Sequence, residues 1–139
     1  MSALFGHHLR NCYLFSDTSQ HFLRQLAVLL DYNVFFPGNY IVVSGDSEAR
    51  MYWVASGVVS VVSVRSDLTE TTHELLHAGD LFGIVQGLNK GIPHHFSYRA
   101  ETQVRIISLS SDSWLNILPY FPEVKALISL RSEVLFSKI

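Results

Sequence analysis

Apolar positions along this chain fall into helical spacing at both ends and strand-like runs between them. Near the start, Phe22, Leu26, Leu29 and Leu30 share one stripe of an amphipathic helix. Ser16 or Asp17 is placed to cap that helix, with Gln20 near its third position. From Asp31 to Ser111 the texture changes to β-branched and aromatic runs: "NVFF", "NYIVV", "MYWVAS", "VVSVVSV", "HELLH", "HFSYRAET" and "VRIISLS". Pro37-Gly38, Gly45-Asp46, Gly57, Ser66-Asp67 and Gly79-Asp80 interrupt them, with Gly38, Gly45, Gly57 and Gly79 placed at tight turns. Such short strands, recurring about every 8–12 residues, predict a sandwich or barrel. After Ser111 the helical pattern returns. Asp112 suits a first turn, and Trp114, Leu115 and Leu118 form an apolar face that ends at Pro119. Pro122 then opens a last helix with Glu123 at its positive end, and Val124, Leu127, Ile128, Arg131, Val134 and Leu135 share one side. The expected plan is one helix, a β-barrel and two helices, with 1–15 as a lead-in and 16–139 as the domain.

Composition narrows the class. A chain of 139 residues, 48% hydrophobic and 16% charged, is long and apolar enough to bury a core as a single domain. The net charge of −2 and the scattered Lys and Arg residues argue against a nucleic-acid surface. One cysteine, Cys12, forms no internal disulfide, which suits a reducing compartment, and no activating base stands beside it. No apolar run approaches the roughly 18 residues of a membrane span, so no direct membrane insertion is expected. The opening "MSALFGHHLRN" lacks the basic stretch and long apolar core of a secretory signal.

"THELLHAGDLFG", residues 72–83, admits two chemistries. His73-Glu74-x-x-His77 matches the zinc-peptidase motif, which requires a helix so that two imidazoles one turn apart meet one metal. The β-branched residues of "TETT" precede it and Gly79 follows closely, so a strand is expected instead, with its leucines packed. In a strand the two histidines stand roughly 13 Å apart at ~3.3 Å per residue, too far to share an ion.

The ordered set Pro37-Gly38-x-Tyr40-Ile41, Gly45-Asp46, Met51-Tyr52-x-Val54, Gly57-x-Val59-x-Val61 and Gly79-Asp80-x-Phe82-Gly83 resembles the cyclic nucleotide-binding domain family. The resemblance runs from about Leu14 to the C-terminus. It implies a mainly β fold, a β-jelly-roll with one N-terminal helix, a short cassette helix and two C-terminal helices. "LFSDTSQHFLRQLAVLL", "GVVSVV", "SYRAETQVRIISLS" and "YFPEVKALI" resemble the ion-channel branch, the cyclic nucleotide-gated and hyperpolarisation-activated channels.

In that family a short helix after the Phe-Gly pair presents backbone N–H groups to the cyclic phosphate. A Glu directly after the pair holds the ribose hydroxyl, and an Arg followed by Ser or Thr pairs with the phosphate. Here the segment reads "FGIVQGLNKGIPHHFSYRAET". Phe82 and Gly83 are present, but the Glu position is Ile84, followed by Val85. Counting back from "RAET", the Arg position falls on His94 and the Ser/Thr position on His95, just before Phe96. The loop carries one extra residue, so that register can shift by one. The lid-helix Arg that touches the base in some channels falls on Leu135. Losing such contacts at ~1.5–3 kcal/mol each moves micromolar binding towards millimolar.

The resemblance therefore implies a regulatory domain at the cytosolic face of a membrane, part of an ion-channel subunit and not an enzyme. Its partners are the rest of that subunit and its neighbours, commonly four. No cofactor is expected, and cAMP or cGMP binding should be weak or absent, with Ile84, Val85 and the lid face of Val134, Leu135 and Ile139 closing the pocket. Two alternatives remain open: a working cAMP or cGMP sensor in which protonated His94 and His95 replace the lost charge near pH 6, and a jelly-roll metal enzyme using some of the seven histidines.

Overall fold

The computed structural model describes residue 12 and residues 14–137, with side chains through residue 133. The first helix, α1, spans Gln20–Leu29 and is capped by Ser19, whose Oγ accepts from the Phe22 N–H at 3.1 Å. The cap is therefore neither Ser16 nor Asp17. Phe15 and Ser16 N–H groups donate to the Cys12 carbonyl, closing a turn, and Asp17 has a left-handed φ of 60°. The chain enters helical geometry only after Ser19, at φ −61° and ψ 145°. Phe22, Leu26 and Ala27 are the buried residues of α1.

Eight strands follow: β1 Asp31–Phe35, β2 Tyr40–Val42, β3 Arg50–Ser56, β4 Val59–Val64, β5 Glu70–Leu76, β6 Leu81–Phe82, β7 Ser97–Ala100 and β8 Val104–Ser110. A five-residue helix, α2, covers Ile84–Leu88 between β6 and β7. The strands build two antiparallel sheets, ordered β1-β8-β3-β6 and β2-β7-β4-β5. Each sheet interleaves early strands with late ones, the winding of a jelly roll. Sequence pattern resolved seven of the eight strands; β6 is two residues long, too short to display an alternation. Gly38, Gly45, Gly57 and Gly79 all have positive φ at their turns.

The chain closes with α3 Ser111–Leu115, a 3-10 turn at Leu118–Tyr120 and α4 Pro122–Ser137. Val124 and Ile128 of α4 are buried, and Arg131 reaches back to donate to the backbone carbonyls of Leu14 and Ser16. The side chains of Val134 and Leu135, and all of Ile139, lie outside the described residues.

Two cores result. One lies between the sheets and includes Val54, Val59, Val61, Phe82 and Ile106. The other lies between the β3/β8 face and the helices, where Met51, Trp53, Ile107 and Leu109 meet Phe22, Leu26, Trp114 and Ile128. Leu14 and Phe15, at the end of the segment read as a lead-in, are fully buried in this second core. No described helix is long and apolar enough to cross a membrane.

Candidate ligand pocket

Strand β6 delivers the chain to a sharp corner at Gly83, which caps α2 with φ 75° and ψ 24°. A Cβ there would stand 2.9 Å from the Arg50 carbonyl oxygen and 3.2 Å from a Tyr52 ring carbon, so only glycine fits. On the far side Trp114 Nε1 donates to the Gly87 carbonyl at 2.9 Å, fixing α2 to α3. A cavity of about 340 Å³ opens against this corner, between α2, the loop leading into β7, and the inner faces of β4, β5 and β7.

Phe82, Gly83, Ile84, Val85, His94, His95 and Phe96, the residues singled out from the sequence, all line this one cavity. Val61, Glu74, Leu76, Leu81, Gln86 and Tyr98 line it too, and sequence reasoning had assigned none of them to it. Alternation would have found some of these, because Glu74 and Leu76 pair with Val61 and Val59 on the inward face of β4. Tyr52, Phe82 and Tyr98 stack as a column, with ring centroids 4.9 and 4.3 Å apart. Burial and then the nearby Glu74 carboxylate push the Tyr98 hydroxyl above its ordinary pKa.

His94 and His95 diverge completely. His94 is 3% exposed, against Gly83, Tyr52 and Tyr98. Its backbone is pinned at both ends, its N–H donating to the Asp46 carbonyl and its own carbonyl accepting from Gly45. Burial lowers the His94 pKa; a hydrogen bond to the Glu48 backbone and the charges of Asp46 and Glu48 oppose that shift without overcoming it. His94 is thus neutral at neutral pH, and its charging is displaced to more acid conditions than an ordinary imidazole requires. Its Nε2 is buried without a hydrogen-bond partner. His95 is exposed, with its ring edge-on to Phe96 at 4.7 Å.

Among the described residues no Lys or Arg lines the cavity, and the one formally charged side chain in its wall is Glu74. Where the sequence resemblance puts a sugar-binding Glu and a phosphate-binding Arg, the wall presents Ile84 and a neutral imidazole.

His73-Glu74-x-x-His77 is not helical. His73 lies in β5, at the bulge that shifts the register between Val61 and Val62, and its Nε2 meets Ser63 Oγ at 2.7 Å. His77 follows the strand, its N–H bonded to Asp80 Oδ2 at 2.8 Å. Of the two leucines, Leu76 is buried, whereas Leu75, on the outward face, is half exposed. Among the described residues no three His, Cys, Asp or Glu side chains cluster as a metal site would require.

Residues 33–119 match the family model of the cyclic nucleotide-binding domain. Among curated proteins, the chain is 34% identical over 113 residues to potassium/sodium hyperpolarization-activated cyclic nucleotide-gated channel 2 of Mus musculus, covering 81% of this chain and 12% of that protein. It is 32% identical over 112 residues to channel 4 of the same name from Oryctolagus cuniculus, covering 81% of this chain and 9% of that one. The chain therefore spans only about a tenth of the length of these relatives. Among solved structures, the N-terminal domain of a transcriptional regulator from Streptomyces coelicolor A3(2) superposes with a TM-score of 0.83 at 21% identity, covering 94% of this chain and 91% of that one. The catabolite activator protein of Thermus thermophilus gives 0.74 at 23% identity, over 91% of this chain and 57% of that one. The regulatory domain of Toxoplasma gondii PKA, solved with cAMP, gives 0.74 at 19% identity, over 84% of this chain and 44% of that one.

Proposed function

The chain belongs to the cyclic nucleotide-binding domain family, and from that premise we propose that it is a regulatory domain of an ion-channel subunit that has lost most of its affinity for cyclic nucleotides. It acts through packing: α4 shifts between arrangements relative to the barrel and passes that shift to the channel core and neighbouring subunits, at the cytosolic face of the membrane. No bond is made or broken. The channel context is supported by identity to hyperpolarization-activated channels over four-fifths of the chain.

The observation that carries the reading on affinity is the cavity wall. It has the family's Phe82-Gly83 corner and short helix, yet among the described residues it holds Glu74 and no Lys or Arg. A cyclic phosphodiester brought there would lose water without gaining a cation, and its charge would stand near a carboxylate. Burial holds His94 neutral at pH 7, so it does not substitute.

Titration calorimetry of the chain with cAMP and with cGMP at pH 7.5 tests this. Dissociation constants in the high micromolar range or weaker are expected; a low-micromolar or tighter complex with either nucleotide refutes the loss of affinity.

A further inference from the structure

We propose that the same cavity takes a small aromatic ammonium compound, a planar apolar body bearing a positively charged hydrogen-bond donor. This rests on the loss of anion recognition argued above and goes further, because the wall has been inverted in polarity and not merely emptied.

The first argument is the sense of the hydrogen bonds the wall offers. His94 lines the cavity, and its Nε2 is buried without a hydrogen-bond partner. In the tautomer with its proton on Nδ1, a neutral imidazole carries a lone pair at Nε2, and the buried atom then asks for a donor. Glu74 supplies a second acceptor. The Gln86 amide gives one Nε2 hydrogen to the Pro93 carbonyl at 3.2 Å and keeps its oxygen as an acceptor beside a second N–H. These three side chains ask for N–H or O–H groups, which phosphate oxygens do not provide. The remaining donors are the second Gln86 N–H, the Tyr98 hydroxyl, the exposed His95 and the first-turn amides of α2, a helix of only five residues.

The second argument is charge. Glu74 stands in the wall, and Asp46 and Glu48 are the charged groups that act on His94 from the β2–β3 connection. Arg50 is engaged by Asp31 at 2.6 Å and by Glu48 at 3.3 Å, and Arg99, the neighbour of Tyr98, by Glu70 and Glu101. Among the described lining residues Glu74 carries the one charge, which favours a cation over an anion.

The third is shape and surface. Phe96 and Tyr98 line the cavity beside Glu74, Phe82 is stacked between Tyr52 and Tyr98, and Ile84, Val85 and Leu81 complete an apolar wall. Aromatic faces beside a carboxylate favour a cation attached to a flat ring system. About 340 Å³ is at the small end of ligand pockets, the size of a bicyclic amine.

Three probes with one ring and three charges test this: tryptamine, indole and indole-3-acetate. Each is titrated at pH 7.5 into the isotopically labelled chain, following the backbone amides of Gly83, Ile84 and Val85 by NMR. Tryptamine should bind on the order of tenfold tighter than indole-3-acetate, with indole between them. Glu74→Gln, at an exposed position that leaves folding intact, should erase the advantage of tryptamine over indole while indole itself is unaffected. Equal affinities, a preference for indole-3-acetate, silence of those amides with all three probes, or a tryptamine advantage that survives Glu74→Gln each overturns the proposal. A parallel titration with cAMP separates the two readings. Silence of the indoles together with silence of cAMP defeats this proposal alone, whereas a tight cAMP complex defeats both.

Discussion

His94 Cε1 lies 3.3 Å from the point that a Cβ on Gly83 would occupy, so the glycine corner and the buried imidazole are packed into one another. The two residues are eleven apart in sequence, on opposite ends of the α2 excursion. Their contact fixes where the short helix begins and which way the loop before β7 turns its side chains.

Gly83→Ala therefore meets three obstacles together: a left-handed φ of 75°, the Arg50 carbonyl at 2.9 Å and the His94 ring. A loss of about 2 kcal/mol is expected, combining backbone strain with overpacking. Urea unfolding should show a lower midpoint with an unchanged slope. A midpoint equal to that of the wild-type chain contradicts the close packing of this corner.

Restoring the family's side chains should restore its ligand. The double substitution Ile84→Glu with His94→Arg returns a ribose acceptor and a permanent guanidinium to the cavity wall. Calorimetry should report cAMP affinity at least about tenfold above wild type, equivalent to about 1.4 kcal/mol. Circular dichroism confirms that the variant is folded. A folded variant with no gain would place the obstacle in Glu74 or the backbone, not in the missing pair.

Acidification should destabilise the fold through His94. Its folded-state pKa lies below the ordinary value because burial penalises the imidazolium, so the unfolded chain binds the extra proton first. Stability contributed by keeping His94 neutral is present above about pH 6.5, the ordinary histidine value, and is lost as pH falls towards the depressed pKa. Urea midpoints measured from pH 7.5 down to pH 5 should fall less steeply for His94→Gln than for wild type. Parallel curves would show that the buried ring has no part in the acid sensitivity.

The tie between the last helix and the start of the domain is also testable. Arg131 donates to the carbonyls of Leu14 and Ser16, joining α4 to the turn before α1. Arg131→Met keeps the apolar stem and removes the donors, leaving partly buried carbonyls unpaired at a cost of about 1–3 kcal/mol. Amide hydrogen exchange should accelerate in α4 more than in β3 or β8. Uniform acceleration across the molecule would mean that α4 is not an independently releasable element.

Much of the architecture is legible in the chain because strands and helices impose different periods on burial. "VRIISLS" is observed as a strand over the residues quoted, and Pro122 does begin the last helix. The first cap was misplaced because burial of Leu14 and Phe15 folds the preceding segment into a turn, and no local pattern announces that. Phe82, Gly83, Ile84, Val85, His94, His95 and Phe96 converge on one cavity, a grouping that their spacing after the glycine corner already suggests.

The sequence by itself determined the order of elements and the glycine corner, because each is written in residue type and spacing. Tertiary structure alone decided that of two adjacent histidines one is buried and neutral while the other is exposed, since an irregular loop has no period from which a side chain's direction follows. It also placed Glu74, the glutamate of the His73-Glu74-x-x-His77 match, in the cavity wall. That placement depends on the pairing of β5 with β4 and the bulge at His73, which are long-range facts of register and not of composition.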